Sequence, residues 1–289
     1  MRIGIVTPVL IQHPGTRADW ETGAGIDDVA AIAAAADRLG YHHVTCSEHV
    51  AVPTDVAAER GGTYWDPLST FGYLAARTTR IRLVTQVLVL GYHHPLEIAK
   101  RYGTLDRISG GRVTLGLGVG SLREEFDLIG AEFEGRGARA DDALRALRAG
   151  LGRSTPEYHG EFYDFAGMVV EPHAVQDHLP LWIGGRTRRS LRRAVELGDG
   201  WVPFGLRLDD LTAMLAATPR PVGMDVVLAA GRPLDPLGSP DAAARALTRL
   251  RDAGATIAGV TLDASGVDHY VDQLATLVEL ARPLGIEFD

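Results

Sequence analysis

The sequence predicts a single (β/α)8 TIM barrel over residues 1–289, with insertions after strands 2 and 4. Three observations predict it. Short aliphatic runs alternate with segments of three- and four-residue apolar spacing almost from end to end, the pattern of a parallel sheet with crossover helices. The chain is long enough for one barrel of about 250 residues plus insertions. Glycines, histidines and acidic residues gather just beyond the aliphatic runs, where the loops of a barrel converge on one mouth.

The first strand is predicted near Arg2 to Thr7, followed by a helix on which Val29, Ile32, Ala33, Ala36 and Leu39 share a face and which Gly40 closes. The second strand falls near His43 to Ser47. A long loop, Val50 to Trp65, then leads to a helix opened by Asp66-Pro67, where Asp caps and Pro takes the first helical position. The third strand spans Ile81 to Leu90, and its helix runs from Pro95 to Ile108 before Ser109-Gly110-Gly111. The fourth strand is Val113 to Leu117. A glycine- and charge-rich excursion, Gly118 to Gly137, a helix near Arg139 to Ala149 and a hairpin around Tyr158 to Val170 follow, too long together for an ordinary connection. The fifth strand, Leu181 to Ile183, passes through Gly184-Gly185 into a helix capped near Thr187, and the sixth lies near Gly200 to Val202. Beyond Pro203 the pattern weakens. Gly223 to Leu228, Asp241 to Ala253, Ile257 to Leu262 and Val267 to Leu280 fit the seventh strand and helix and the eighth strand and helix.

A formal charge of -8 disfavours nucleic acid and anionic membranes as partners. The chain shows no signal-peptide pattern and no stretch apolar enough to span a bilayer, and its one cysteine, Cys46, excludes an internal disulfide. A cytoplasmic protein is expected. An anionic ligand needs a local cationic site, and Arg186 to Arg193 supplies one.

Gly184-Gly185 before a capped helix can cradle an anion, because glycine lets the backbone approach and free N–H groups at a helix start point outward. Arg186 adds a charged donor, and a plain strand-to-helix turn explains the same residues. Gly116-Leu117-Gly118-Val119-Gly120 resembles a dinucleotide fingerprint, but its last interval is short and Arg123-Glu124-Glu125-Phe126-Asp127 follows, so close approach to a planar ring or its tail is the better reading. His49 beside Glu48 at a strand end fits a general acid or base whose tautomer a carboxylate holds, against the alternative of a packed core histidine. The adjacent pairs His42-His43 and His93-His94 present poor metal-ligand spacing, and no metal is expected.

Together these segments are similar to the luciferase-like monooxygenase superfamily, and more closely to its branch that uses the deazaflavin coenzyme F420. The resemblance rests on Leu39-Gly40-Tyr41 leading to Cys46-Ser47-Glu48-His49, on His94-Pro95-Leu96 through Thr104 to Arg112, on Gly116 to Phe126, and on Pro180 to Gly185 continuing to Gly198-Asp199-Gly200-Trp201. It implies that His49 exchanges a proton with substrate while hydride moves to or from the deazaflavin. Glu48 stands where the family often has aspartate. It further implies a non-proline cis peptide at Gln86-Val87 backing the ring, and cofactor side-chain and phosphate contacts at Gly118, Gly120, Gly184, Gly185, Arg186 and Thr187. Tyr64, Trp65 and the insertion after strand 4 are expected to close over a small-molecule substrate, and the family's habit implies a homodimer.

The first functional expectation is therefore an F420-dependent oxidoreductase. FMN with oxygen and a partner reductase is the alternative on the same barrel. A non-catalytic cofactor-binding protein and a metal-dependent hydrolase are alternatives from other classes.

Overall fold

The computed structural model describes residues 1–15 and 17–289. Among them ten strands form: β1 (Arg2–Ile5), β2 (His43–Cys46), β3 (Arg82–Val89), β4 (Val113–Gly118), β5 (Tyr158–His159), β6 (Asp164–Phe165), β7 (Leu181–Gly184), β8 (Gly200–Val202), β9 (Asp225–Ala229) and β10 (Ile257–Val260). All but β5 and β6 run parallel and close a barrel in the order β1-β10-β9-β8-β7-β4-β3-β2. The register of β3 against β4 shifts between Thr85 and Leu88, which places an irregularity beside the mouth.

Helices α1 (Ile26–Leu39), α2 (Thr54–Arg60), α3 (Pro67–Ala75), α4 (Pro95–Ser109), α5 (Arg123–Ile129), α6 (Arg136–Gly150), α7 (Arg188–Leu197), α8 (Leu208–Ala216), α9 (Pro240–Asp252) and α10 (Val267–Ala281) wrap the barrel or lie in its loops. Their ends follow local chemistry. Asp66 accepts from Ser69 N at 2.8 Å to open α3, and Thr187 accepts from Ser190 N at 3.2 Å to open α7. Gly40 closes α1 at φ +83°, a left-handed position that glycine occupies without a steric penalty.

Val84, Trp182, Val202, Val227 and Ile257, with Val87 packed on them, fill the barrel interior. A larger apolar layer between strands and helices includes Ile3, Ile32, Phe71, Leu115, Leu144 and Leu274, each fully buried. Burial of a side chain of this kind is worth about 1.5–3 kcal/mol. Two motif residues prove to be braces of this frame. Buried Asp106 accepts from Val175 N (3.0 Å) and Gln176 N (3.1 Å). Arg112 donates to Thr78 Oγ1 (2.7 Å) and to the carbonyls of Ala75 and Ile81.

The differences from expectation lie in the insertions and in the C-terminal third. The predicted loop Val50 to Trp65 contains α2, and the excursion Gly118 to Gly137 contains α5. The hairpin narrows to β5 and β6, pinned on α6 where Asp142 accepts from Phe162 N and Tyr163 N. Helix α8 was not expected from the sequence. It buries only Leu211 and Leu215, so its apolar face is too sparse to announce itself.

Candidate active site at the barrel mouth

His49 follows the C-terminal end of β2 and keeps a quarter of its side-chain surface open. Its Nδ1 lies 2.8 Å from Glu125 Oε2, and the Glu125 side chain is fully buried. Glu125 sits in the first turn of α5, where a carboxylate also suits the helix dipole. The same carboxylate accepts from the Val50 and Ala51 N–H groups and from Tyr92 OH at 2.7 Å. Burial pushes the Glu125 carboxyl up, but the hydrogen bonds from His49, Tyr92 and Val50 outweigh it and hold the group below the ordinary carboxylate range. An ionised carboxylate only accepts, so His49 donates from Nδ1 and Nε2 is left to give or take a proton. The Tyr64 ring lies against the imidazole, centroids 4.4 Å apart and planes tilted by 60°.

Glu48 faces elsewhere. Its Oε2 accepts from Val89 N at 2.7 Å and its Oε1 lies 2.6 Å from His93 Nε2. Burial alone would lower the His93 pKa, and the Glu48 carboxylate reverses this and raises it. The carboxylate that orients His49 is thus Glu125 and not its sequence neighbour. Side chains along extended backbone alternate in direction, so adjacent residues at a strand end seldom share a partner. The acidic run Arg123 to Asp127, read only as a departure from a dinucleotide fingerprint, held the signal.

The non-proline cis peptide falls at Gln86-Val87, the position the resemblance implied. Ser47 Oγ donates to Gln86 O, and Glu48 N donates to Val87 O at 3.2 Å, so the segment carrying His49 is fastened to β3 at this point. Val87 is flanked by two of the expected cofactor glycines. A Cβ on Gly118 would lie 2.6 Å from Val87 Cγ2, and one on Gly184 would lie 2.8 Å from Cγ1. Gly120 instead makes room for Phe126, whose ring a Cβ there would meet at 2.5 Å. These three glycines therefore have packing reasons of their own, and Val87 is half-buried between Gly118 and Gly184.

Gly185, at φ +134°, turns β7 into α7. Thr187 is the N-cap of α7, and Arg186 and Arg188 are exposed and make no ion pair among the described residues. Trp65 packs on the core, while Tyr64 is the loop aromatic that reaches His49. Cys46 is buried, and desolvation pushes its thiol up to about 12, which makes it unreactive. Among the described residues no group of three or more His, Cys, Asp or Glu is placed to hold a metal ion, and no helix is long and apolar enough to cross a membrane.

The fold has close counterparts among solved structures. The monooxygenase RslO1 of Streptomyces bottropensis superposes with a TM-score of 0.80 over 99% of this chain and 100% of its own, at 22% identity. An F420-dependent secondary alcohol dehydrogenase bound to an F420-acetone adduct superposes with a TM-score of 0.75 over 97% and 99%, at 14% identity. In sequence, an uncharacterised protein of Mycobacterium tuberculosis is 31% identical over 65% of this chain and 69% of its own length. The oxygenase component of a flavin-dependent trigonelline monooxygenase from Acinetobacter baylyi is 27% identical over 64% and 50%. With residues 1–220 matching the family described as luciferase-like monooxygenase, on a barrel whose mouth carries the His49–Glu125 pair, the chain belongs to the luciferase-like monooxygenase family.

Proposed function

We propose that this protein is an F420-dependent oxidoreductase that moves a hydride between the deazaflavin and a small organic substrate. The observation that carries the reading is the buried carboxylate on His49 Nδ1 at the mouth. Hydride transfer to or from a carbon bearing oxygen requires a proton to move at that oxygen, and a carboxylate-held imidazole supplies a group for it. The coenzyme, when bound, supplies the hydride donor or acceptor. The chain's residues do the rest: His49 Nε2 exchanges the proton, Glu125 fixes the imidazole, and Tyr64 limits its access to water. Val87, with Gln86 behind it, offers the planar ring an apolar rest between Gly118 and Gly184. Glu48, through Val89 N and His93, steadies that strand from behind.

The donor set fits such a group. Gly185, the Thr187-capped start of α7, and Arg186 and Arg188, which make no ion pair among the described residues, offer N–H dipoles and positive charge to a phosphate with further anionic groups. The likeness to the trigonelline monooxygenase supports a second reading, FMN with oxygen and a partner reductase. Titration of the purified protein with coenzyme F420 and with FMN, followed by fluorescence, separates them. Micromolar or tighter F420 binding with weak FMN binding is expected, a preference for FMN moves the protein to the second reading, and binding of neither removes both. Light scattering tests the homodimer that we also propose.

A further inference from the structure

We propose that Glu21, which belongs to no motif, is a positioning residue that holds Tyr64 over His49 by way of the loop after β1. Glu21 is buried in a single 3-10 turn, Asp19–Thr22. One of its carboxylate oxygens accepts from Val9 N at 2.7 Å and the other from Ala18 N at 2.9 Å, while its carbonyl accepts from Gln12 Nε2 at 3.1 Å. Val9 is fully buried and stands at φ +73°, a region that β-branched residues rarely enter. Its N–H therefore needs an acceptor brought to it, and the Glu21 carboxylate is that acceptor. The turn is anchored from outside by Trp20, whose ring packs 6.3 Å from that of Tyr270 on α10.

The loop clamped in this way is the wall on which the Tyr64 loop hangs. Ile11 bridges Tyr64 in antiparallel fashion, Trp65 N donates to Leu10 O at 3.1 Å, and Gln12 N donates to Thr63 O at 3.3 Å. On the far side Gly61 closes the contact so tightly that a Cβ there would lie 2.1 Å from Gln12 O. Tyr64 OH donates to Arg60 O at 3.2 Å, which fixes the other end of the ring. Loops that leave two different strands thus behave as one body above the His49–Glu125 pair, and the carboxylate of Glu21 sets where that body sits.

The inference rests on His49 being the proton-exchanging group, so the experiment reads the imidazole itself and needs no turnover. Aromatic rings displace the NMR signals of protons beside them, and the ring-proton signals of His49 in histidine-labelled protein report Tyr64. Tyr64→Leu is expected to move those signals. Glu21→Gln keeps the shape but sets an NH2 against one of the two N–H donors, and it is expected to move them in the same direction. In the double variant it adds nothing, because it acts through the ring already removed. Gly61→Ala forces the two loops apart with Glu21 intact and is expected to give the same displacement, which keeps the test available if Glu21→Gln does not fold. His49 signals unchanged in Glu21→Gln and Gly61→Ala overturn the proposal. So does a Glu21→Gln displacement that persists undiminished in the Tyr64→Leu background. Failure of the proposed function would show differently, as absent cofactor binding with these displacements intact.

Discussion

Strand β2 has histidines at both ends, and the two ends treat the imidazole in opposite ways. At the closed end His42 Nδ1 and His43 Nδ1 lie 2.9 Å apart, and Trp182 packs its ring against both. Burial, with Arg2 and Arg82 nearby, drives their pKa values down to about 2 and about 3, so both stay neutral. A cavity of about 320 Å³ opens beside them, lined by Arg2, His42, Arg82, Trp182 and Asp225 among others. Its arginines Arg2 and Arg82 already have partners: Arg2 meets Asp225 at 2.9 Å, and Arg82 donates to Thr114 Oγ1 and Gln176 Oε1. At the open end His49 has a buried carboxylate on one nitrogen and access to the mouth at the other. An adjoining cavity therefore does not set the two ends apart. His42 and His43 are buried without a carboxylate, whereas His49 has a carboxylate on one side and open space on the other, the arrangement that the proposed acid–base role needs.

The largest expected effect breaks the open end. His49→Ala is expected to lower turnover about a hundredfold or more, the usual loss for a missing acid or base, while cofactor binding persists. Turnover within a few fold of wild type would put His49 in the same class as His43. The next effect removes the carboxylate instead. In Glu125→Ala the Val50 and Ala51 N–H groups, Tyr92 OH and His49 Nδ1 lose a common acceptor. Donors left without an acceptor at this partly buried site destabilise by about 1–3 kcal/mol, and thermal unfolding should fall by about 2–4 °C for each of those kcal/mol. An unchanged unfolding temperature would mean that water replaces the carboxylate at no loss.

The smallest effect sharpens the contrast from the closed end. A histidine whose folded pKa lies below its unfolded value takes up its proton only on unfolding, so stability falls as pH drops below about 6.5 and towards the depressed values. His43→Phe keeps a ring in the same space and removes one such group. The slope of stability against pH between 6.5 and 5.5, measured by urea unfolding, should flatten by about 1 kcal/mol per pH unit. An unaltered slope would show that His43 is not the group held neutral.

Much of this arrangement is legible in the sequence, and what is hidden has a physical cause. The barrel shows because each strand and its helix must bury an apolar face locally, as Val29 to Leu39 and Leu181 to Ile183 do. His49 stands out because it lies just beyond the end of a strand, where the loops of the barrel converge. Its partner does not. Glu125 comes from the loop of a strand two places further along the barrel, and only the pairing of β2, β3 and β4 side by side brings the two together. Glu48 was the nearer carboxylate along the chain, and the alternation of extended backbone turns it the other way. Glu21 was hidden more deeply, because a carboxylate that serves backbone N–H groups leaves no pattern of spacing.

The ring of Phe126 has a consequence for anyone who would rebuild this protein. It is clasped between two strand ends: a Cβ on Gly91 would meet its Cε1 at 2.5 Å, and one on Gly120 would meet its Cε2 at the same distance. The residue before it is Glu125, so the slot that seats the phenyl group also sets the carboxylate under His49. A loop transplanted from a relative after β4, in an attempt to change what the mouth accepts, carries the glutamate with it. Without small residues at both 91 and 120 it cannot dock it. Those two glycines, the phenylalanine and the glutamate form one exchangeable cartridge, and recombination that splits them should yield folded barrels in which His49 has lost its carboxylate partner.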